Sequence, residues 1–436
     1  MKTLEAASQV LNGKLSGEGD GLFDRVSIDS RIITDGSNQL FIALNGKQHD
    51  GHKYIDEAYK KGIRSFIVER DFSLPNAAFL KVENTLEAFQ KLAKAHRESW
   101  SNPCIAITGS NGKTTVKEWL ANCLSKSNKV HRSPRSYNSQ IGVAISLLDG
   151  DDSADFHILE AGISQPGEMN RLEKMIQPEI GLFLNIGDAH MKFFVDHQQL
   201  ANEKALLFTN CKTIVHEHNN SLILKGLELA NFKGTHVTWG SSKNAFLRVH
   251  SSLRLQQQRL VVVEVDEEQI ELLFPFSDEA SEQNLLAVAT TLFHLGLKKN
   301  EVQSAISGLN PISMRMEIIE GIGNKSIISD VYSNDLQSLQ KALNELRWLR
   351  GSRAKKAVIL SDLVQSSVKG KELYEKVFAM MRNLGVDEWV GVGSEICKYA
   401  SLSALPHQCF EKTTDLLESF DPESLTSTTI LIKGAR

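Results

Sequence analysis

Hydrophobic and polar positions follow two rhythms along this chain, and their order predicts a layered α/β protein. Short apolar runs bounded by turn residues read as buried strands, and apolar positions three and four apart read as helices. Near the N-terminus, Val26-Ser27-Ile28, Leu40 to Leu44 and Ser65 to Val68 read as strands. Tyr54 to Lys61 reads as a helix stopped by Gly62, and Thr85 to Trp100 as a longer helix closed by Asn102-Pro103. From about residue 104 to 309 the two patterns alternate, which predicts a largely parallel sheet wrapped by helices. Residues 244–276 depart from this: Phe246 to Val249, Gln258 to Val265 and Ile270 to Phe274 predict a short antiparallel patch. After Asn310-Pro311 the alternation resumes, with strands at Ser326 to Ser329, Ala357 to Leu360 and Glu388 to Val392 and helices at Leu336 to Leu349 and Lys371 to Leu384. Three α/β units are expected, 1–102, 103–310 and 311–436, with the Asn-Pro pairs as hinges. The sequence stops directly after a strand-like Ile430-Leu431-Ile432. A strand of this kind is usually covered by a following helix, so a shortened or fused chain is expected.

Composition narrows the class. Apolar residues make up 41% and charged residues 23% of 436, which fits a globular chain. The formal charge of -4 leaves no general basic field for nucleic acid, so an anionic ligand needs a local site. The five cysteines are scattered without a C-x-x-C pair, against a disulfide framework or a zinc site. No apolar run nears the roughly 20 residues of a membrane span, and the N-terminus lacks a signal-peptide core. The expected setting is the reducing cytoplasm, without membrane or nucleic-acid partners.

The chemistry concentrates at the ends of strands. Thr108-Gly109-Ser110-Asn111-Gly112-Lys113-Thr114-Thr115 lies between the apolar run Cys104 to Ile107 and a helical segment, Val116 to Ser125. Strand, glycine turn, Lys-Thr, helix is the layout of a phosphate-binding loop: backbone amides at the helix start hold phosphate oxygens, the lysine reaches the terminal phosphates and a threonine hydroxyl reaches Mg²⁺. The commonest form of that loop has glycine where this chain has Ile107. Tyr137 to Gly142 forms a polar turn before the apolar helix Val143 to Leu148. Ile158-Leu159-Glu160-Ala161-Gly162 places a carboxylate at a strand end, where open α/β sheets bind ligands, and Glu160 there suits Mg²⁺. Leu182 to His190 ends a second strand on Asn185, Gly187, Asp188 and His190. Taken singly, Glu160 also reads as a solvated strand-end charge and His190 as a structural histidine.

TGSNGKTT, YNSQIG, EAG and NIGDAH stand in the order and spacing of the Mur ligase family, the ATP-dependent ligases of bacterial wall synthesis, which the whole chain resembles. Asp29-Ser30-Arg31, Phe41 to Gly46, His49 to His52, Gly167-Glu168-Met169, Ser329-Asp330-Val331-Tyr332 and Lys433-Gly434-Ala435-Arg436 are most similar to members that join D-alanyl-D-alanine to UDP-N-acetylmuramoyl-tripeptide. The resemblance implies the family's three-domain architecture, with a small N-terminal domain binding the UDP precursor, a central ATP-binding domain and a C-terminal α/β domain. It implies ATP and Mg²⁺ as cofactors, and an acyl-phosphate mechanism. Gly109, Ser110, Asn111, Gly112, Lys113, Thr114 and Thr115 would hold the ATP phosphates. Asn185, Asn284, Arg315, Asp330 and Tyr332 would complete the nucleotide site. Thr114, Glu160, His190 and Lys204 would serve the metal, with Lys204 as a CO₂-modified lysine; by its pattern alone Lys204 reads as an exposed helix lysine. Lys113, His190 and Lys204 form the implied catalytic set. Ser30, Arg31 and Asn138 would bind the nucleotide-linked substrate.

Three segments depart from the family's usual DDSYNANP, LGDM-ELG and KGSR: Ser329 to Leu336, Leu360 to Ser366, and Lys433 to Arg436. They resemble a subgroup fused to a C-terminal alanine racemase, so a fused racemase domain is the expected partner. A related ligase acting on another amino acid or on folate, and a nucleotide-binding protein without ligase activity, remain the alternatives. The ligase that adds meso-diaminopimelate carries a D-N-P-R motif, which this chain lacks.

Overall fold

Among the described residues three main sheets follow one another along the chain, and a short two-stranded sheet pairs Lys2–Thr3 with Leu22–Phe23. The computed structural model describes residues 2–434 other than 47–48, 189–190, 312–316, 323–324, 332–333, 350–353, 364–365 and 367. The first main sheet contains β1 (Lys14–Gly17), β2 (Arg25–Ser27), β3 (Gln39–Ile42), β4 (Ser65–Val68) and β5 (Ala78–Lys81), in spatial order β1-β5-β4-β3-β2. Only β1 runs antiparallel to its neighbour. Alternation sorts its side chains by face. Leu40, Ile42, Ile67 and Leu80 pack towards helices α1 (Leu4–Leu11) and α3 (Thr85–Arg97), while Phe41, Phe66 and Phe79 pack on α2 (Ile55–Lys60). Helix α3 is also built into the next unit. Its Arg97 is buried, with Nε donating to Ile176 O at 2.7 Å and Nη2 to Glu179 at 2.9 Å. The junction at Asn102-Pro103 is therefore packed on both sides rather than open.

The central sheet has nine strands. They are β6 (Cys104–Thr108), β7 (Val130–Arg132), β8 (Phe156–Glu160), β9 (Ile180–Phe183), β10 (Thr213–Glu217), β11 (Thr235–Gly240), β12 (Leu247–Arg254), β13 (Arg259–Val265) and β14 (Glu268–Phe274), ordered β14-β13-β12-β11-β10-β9-β6-β8-β7. Those from β12 to β7 are parallel, and β12, β13 and β14 form the expected antiparallel ribbon. Helix α4 (Lys113–Leu124) follows β6, and α5 (Gln140–Leu148), α6 (Met169–Ile176), α7 (His197–Ala205) and α8 (Ser221–Leu229) follow later strands. Helices α9 (Glu279–His294) and α10 (Lys299–Ser307) close the unit. Helix α4 begins three residues before the expected Val116. First-turn amides have no acceptor within the helix, so the polar Lys113-Thr114-Thr115 starts it well although the apolar pattern begins later.

The last sheet has β15 (Glu317–Glu320), β16 (Ser326–Asp330), β17 (Lys356–Ser361), β18 (Glu388–Val392), β19 (His407–Phe410) and β20 (Thr429–Lys433), ordered β15-β16-β20-β17-β18-β19. Helices α11 (Leu336–Trp348), α12 (Gly370–Asn383), α13 (Ser394–Lys398) and α14 (Thr413–Ser419) connect them. The final strand was expected to want a helix after it; instead β20 lies between β16 and β17. Leu431 joins the core under α11 and α12, and Ile430 and Ile432 pack with Leu416 of α14, so existing helices cover both faces. Among the described residues no helix is long and apolar enough to cross a membrane.

Candidate active site

The carboxyl ends of β6, β8 and β9 converge on the glycine loop. Thr108 Oγ1 donates to Ala161 O at 2.8 Å, tying the loop's start to the end of β8. Gly112 has φ +85°, and a Cβ there would lie 2.3 Å from Asn284 Oδ1 on α9. Glycine is thus required twice, for the backbone angle and for the close approach. The segment after β9 braces the other side. Ser110 N donates to Asn185 O at 2.9 Å, and Asn111 N to Asn185 Oδ1 at 3.0 Å. Asn185 Nδ2 donates back to Asn111 O at 3.0 Å, and Gly187 N to Ser110 Oγ at 2.9 Å.

Two lysines meet at this loop. Lys113 Nζ donates to Gly109 O at 2.9 Å and to Ser110 O at 3.2 Å. Lys204, on α7, donates to the same Gly109 O at 3.1 Å and is buried. The expectation of an exposed helix lysine is corrected: α7 turns this residue towards the loop because its neighbours Leu200, Ala201 and Ala205 form the inward face. Burial, then repulsion from Lys113, holds the Lys204 amine well below the usual lysine range, with Glu203 opposing weakly.

A buried carboxylate completes this face. Glu160 Oε2 accepts from Thr114 Oγ1 at 2.7 Å, and Oε1 accepts from Asn138 Nδ2 at 2.6 Å. Thr114 Oγ1 is also 3.0 Å from Ser136 Oγ. Sequence reasoning missed two members of this cluster, Ser136 and Lys117. Lys117 is fully buried and donates to the carbonyls of Ser133 (2.7 Å) and Arg135, fixing the segment that presents Ser136 and Asn138. Its spacing of one helical turn from Lys113 was the available signal, since a second lysine on that inward face has to find acceptors. Among the described residues no group of three or more His, Cys, Asp or Glu could hold a metal ion. One carboxylate with the Thr114 and Ser136 hydroxyls is instead a hard-oxygen donor set, which fits Mg²⁺ shared with phosphate oxygens.

Beside the loop opens a cavity of about 920 Å³ between the central and C-terminal sheets. Asn111, Gly112, Thr115, Asn185 and Asn284 line one wall, and Asp330 faces them from the end of β16. Asp330 Oδ2 accepts from Lys433 Nζ at 2.7 Å, and both side chains are buried. Ser30 and Arg31 belong to a separate cluster on the N-terminal sheet. Ser30 Oγ donates to Glu57 at 2.9 Å, and Arg31 pairs with Asp29 at 2.8 Å. His190, Arg315 and Tyr332 lie outside the described residues. A second hollow, of about 380 Å³ around Lys355, Lys356 and Asp387, shares no residue with this site.

Two family models match the chain: the Mur ligase middle domain over residues 107–292, and the Mur ligase family catalytic domain over residues 23–97. Together they span more than half of it. The chain belongs to the Mur ligase family. Within that family, it is 25% identical over 450 aligned residues to the UDP-N-acetylmuramoyl-tripeptide–D-alanyl-D-alanine ligase of Bacillus subtilis, covering 100% of this chain and 96% of the relative. In fold it is similar to the crystal structure of MurF from Acinetobacter baumannii, with a TM-score of 0.84 at 21% identity and coverage of 100% and 96%. The MurF ligase of Thermotoga maritima, solved with ADP, gives a TM-score of 0.78 at 22% identity over 94% of this chain and 93% of that one. The Mur ligase assignment agrees with the α/β fold class expected from the sequence, and with a phosphate loop that tolerates Ile107.

Proposed function

We propose that this Mur ligase joins D-alanyl-D-alanine to UDP-N-acetylmuramoyl-tripeptide at the expense of ATP, in the cytoplasm, for peptidoglycan precursor synthesis. The observation that carries the reading is one loop held by Lys113, Lys204, Thr114 and Glu160, opening on a cavity shared with the C-terminal sheet. Full-length likeness to the Bacillus subtilis ligase supports the substrates, and the ADP in the Thermotoga structure supports the nucleotide.

The residues divide the work. Loop amides from Gly109 to Thr115 and the Lys113 ammonium hold the β- and γ-phosphates. Thr114 and Glu160 would hold Mg²⁺, with His190 and a carbamate on Lys204 at a further metal position; bound Mg²⁺ neutralises phosphate charge. Asn284, Arg315, Asp330 and Tyr332 hold the nucleoside end, Asn185 keeps the loop in shape, and Ser30, Arg31 and Asn138 position the UDP-linked substrate. The tripeptide carboxylate oxygen attacks the γ-phosphorus and ADP leaves. The dipeptide amine then attacks the acyl carbon, phosphate departs with the C–O electron pair, and the amine gives up a proton. The three sheets act as precursor, ATP and acceptor units. A fused racemase gains no support from these relatives and has no part in this reading.

Phosphate release with ATP, UDP-tripeptide and D-alanyl-D-alanine tests it. Release should require both acceptor substrates and fall about 10³-fold in Lys113→Ala, with the thermal midpoint unchanged. No release with this substrate pair, or release only with another amino acid as acceptor, defeats the assignment.

A further inference from the structure

The antiparallel ribbon has no part in the chemistry above, yet its tip reaches the cavity, where Arg254, Gln256 and Gln257 form part of the wall. Arg254 ends β12, Arg259 begins β13, and the two face each other across the ribbon. Leu255 N donates to Gln258 O at 2.9 Å and closes the turn between them. Each arginine grips a carboxylate, Arg254 one from the C-terminal unit and Arg259 one from the central unit itself. Arg254 Nη1 and Nη2 donate to the two carboxylate oxygens of Glu345 on α11, at 3.1 and 2.8 Å. This two-bond fork fixes direction as well as distance. Arg259 Nη1 lies 3.0 Å from Glu282 Oε2 on α9, and its Nε and Nη2 donate to Ser277 O at 3.1 and 2.6 Å. Glu282 stands two residues before Asn284, which abuts Gly112 of the phosphate loop.

Helix α11 meets the central unit at its other end as well. A Cβ on Gly187 would lie 2.0 Å from Gln337 Oε1 in the first turn of α11. The helix lies close against the loop that braces the phosphate site at one end and is gripped by the ribbon at the other. The side chains of Arg254 and Glu345 are 27% and 17% exposed, so water screens the pair only in part.

We propose that Arg254 and Glu345 are positioning residues for the amide-forming half of the reaction: their ion pair clasps α11, and with it the carboxyl edge of the C-terminal sheet, over the cavity. The amine held by that sheet is thereby aligned with the acyl phosphate held by the central sheet. The proposal rests on the ligase reading. If the clasp fails, water replaces the amine: its oxygen bonds to the acyl carbon, phosphate leaves, and the tripeptide carboxylate is regenerated with ATP spent.

The test compares the intact enzyme with Arg254→Met, Glu345→Gln and the exchanged pair Arg254→Glu with Glu345→Arg, measuring phosphate and ligated product together. Each single variant should lower kcat for product about tenfold or more and raise the KM for D-alanyl-D-alanine, with the KM for ATP within about threefold. Phosphate released per product formed should rise above one. The exchanged pair should recover most of the loss. Single variants that keep one phosphate per product at wild-type kcat overturn the clasp. So does a loss that follows the thermal midpoint and is not recovered by exchange. Absence of product from the wild-type enzyme fails the ligase reading itself, a different result.

Discussion

Lys113 and Lys204 direct their side-chain nitrogens to one acceptor, the carbonyl oxygen of Gly109, at 2.9 and 3.1 Å. Two cations so close repel, and the buried one yields by holding its proton less tightly. A neutral amine is the form that adds CO₂, giving a carbamate and releasing a proton. Bicarbonate labelled with ¹³C should therefore give a carbamate signal that disappears in Lys204→Arg, and CO₂-stripped buffer should lower activity until bicarbonate is restored. Proton linkage has a definite sign here. The folded-state value lies below 10.5, so the unfolded chain binds more protons between the two, and this residue's contribution to stability rises with pH through that window. Absence of the labelled signal in active enzyme would remove the carbamate from the mechanism.

Replacing Gly112 tests the packing of α9 against the phosphate loop. In Gly112→Ala the new methyl group meets Asn284 Oδ1 at 2.3 Å, on a backbone with φ +85°. We expect a loss of about 1–3 kcal/mol in stability and weaker ADP binding. Calorimetry and titration with ADP measure both. Asn284→Gly in the same chain should return part of the stability by removing the clash, and the remaining deficit reports the backbone strain. Unchanged ADP affinity in Gly112→Ala contradicts the geometry.

The Asp330–Lys433 pair should be costly to break on one side only. Asp330→Asn removes the carboxylate that the buried Lys433 ammonium meets at 2.7 Å, for which a loss of about 3–5 kcal/mol is expected. Asp330→Asn combined with Lys433→Met should be milder, since the buried ammonium goes with its carboxylate. Urea unfolding of the two variants decides it; equal losses would show that the pair is not the origin of the effect.

Much of this was legible in the sequence, for reasons that differ by element. The phosphate loop and the strand ends at Glu160 and Asn185 stood out because glycine, lysine and carboxylate at a strand-to-helix corner have a chemical meaning. The antiparallel ribbon showed as a change of period over residues 244–276. Strands β1, β5, β15 and β19 did not show, and β7, β10 and β11 were covered only by the general alternation of the central region. Ala78–Lys81 is four residues long, and Glu317–Glu320 sits at an edge with acidic ends, so neither carries a readable alternation. The burial of Lys204 and Lys117 was hidden because a helix pattern tells which residues share a face but not what polar acceptors that face meets. Arg254 with Glu345 is a pairing across 91 positions, which no local pattern encodes.

Acid should weaken the packed junction between the first two sheets. His157 is buried, stacks on Trp100 at 3.7 Å between ring centres, and neither ring nitrogen has a hydrogen-bond partner. Burial, helped by His131, pushes it down to about 4. The unfolded chain thus binds more protons between about 6.5 and 4, and stability falls as pH drops through that range. His157→Phe keeps the ring and removes the proton site. Urea midpoints at pH 7.5 and 5 should differ less in the variant than in the wild type. His216, also pushed down to about 4, and His96, His131, His236 and His294, each lowered by burial, contribute to the loss that remains. An equal pH difference in both proteins refutes the assignment.

The position of β20 has a consequence for how the protein is made. Strands β16 and β17 leave the ribosome before it, yet neither has its inner neighbour until Thr429 to Lys433 arrive. Until then both present open hydrogen-bonding edges, the kind of surface that pairs with other chains. The first two units can take shape during synthesis, while the third waits for its latest strand. That same strand carries Lys433 to Asp330, so the cavity wall and the sheet are completed in one event.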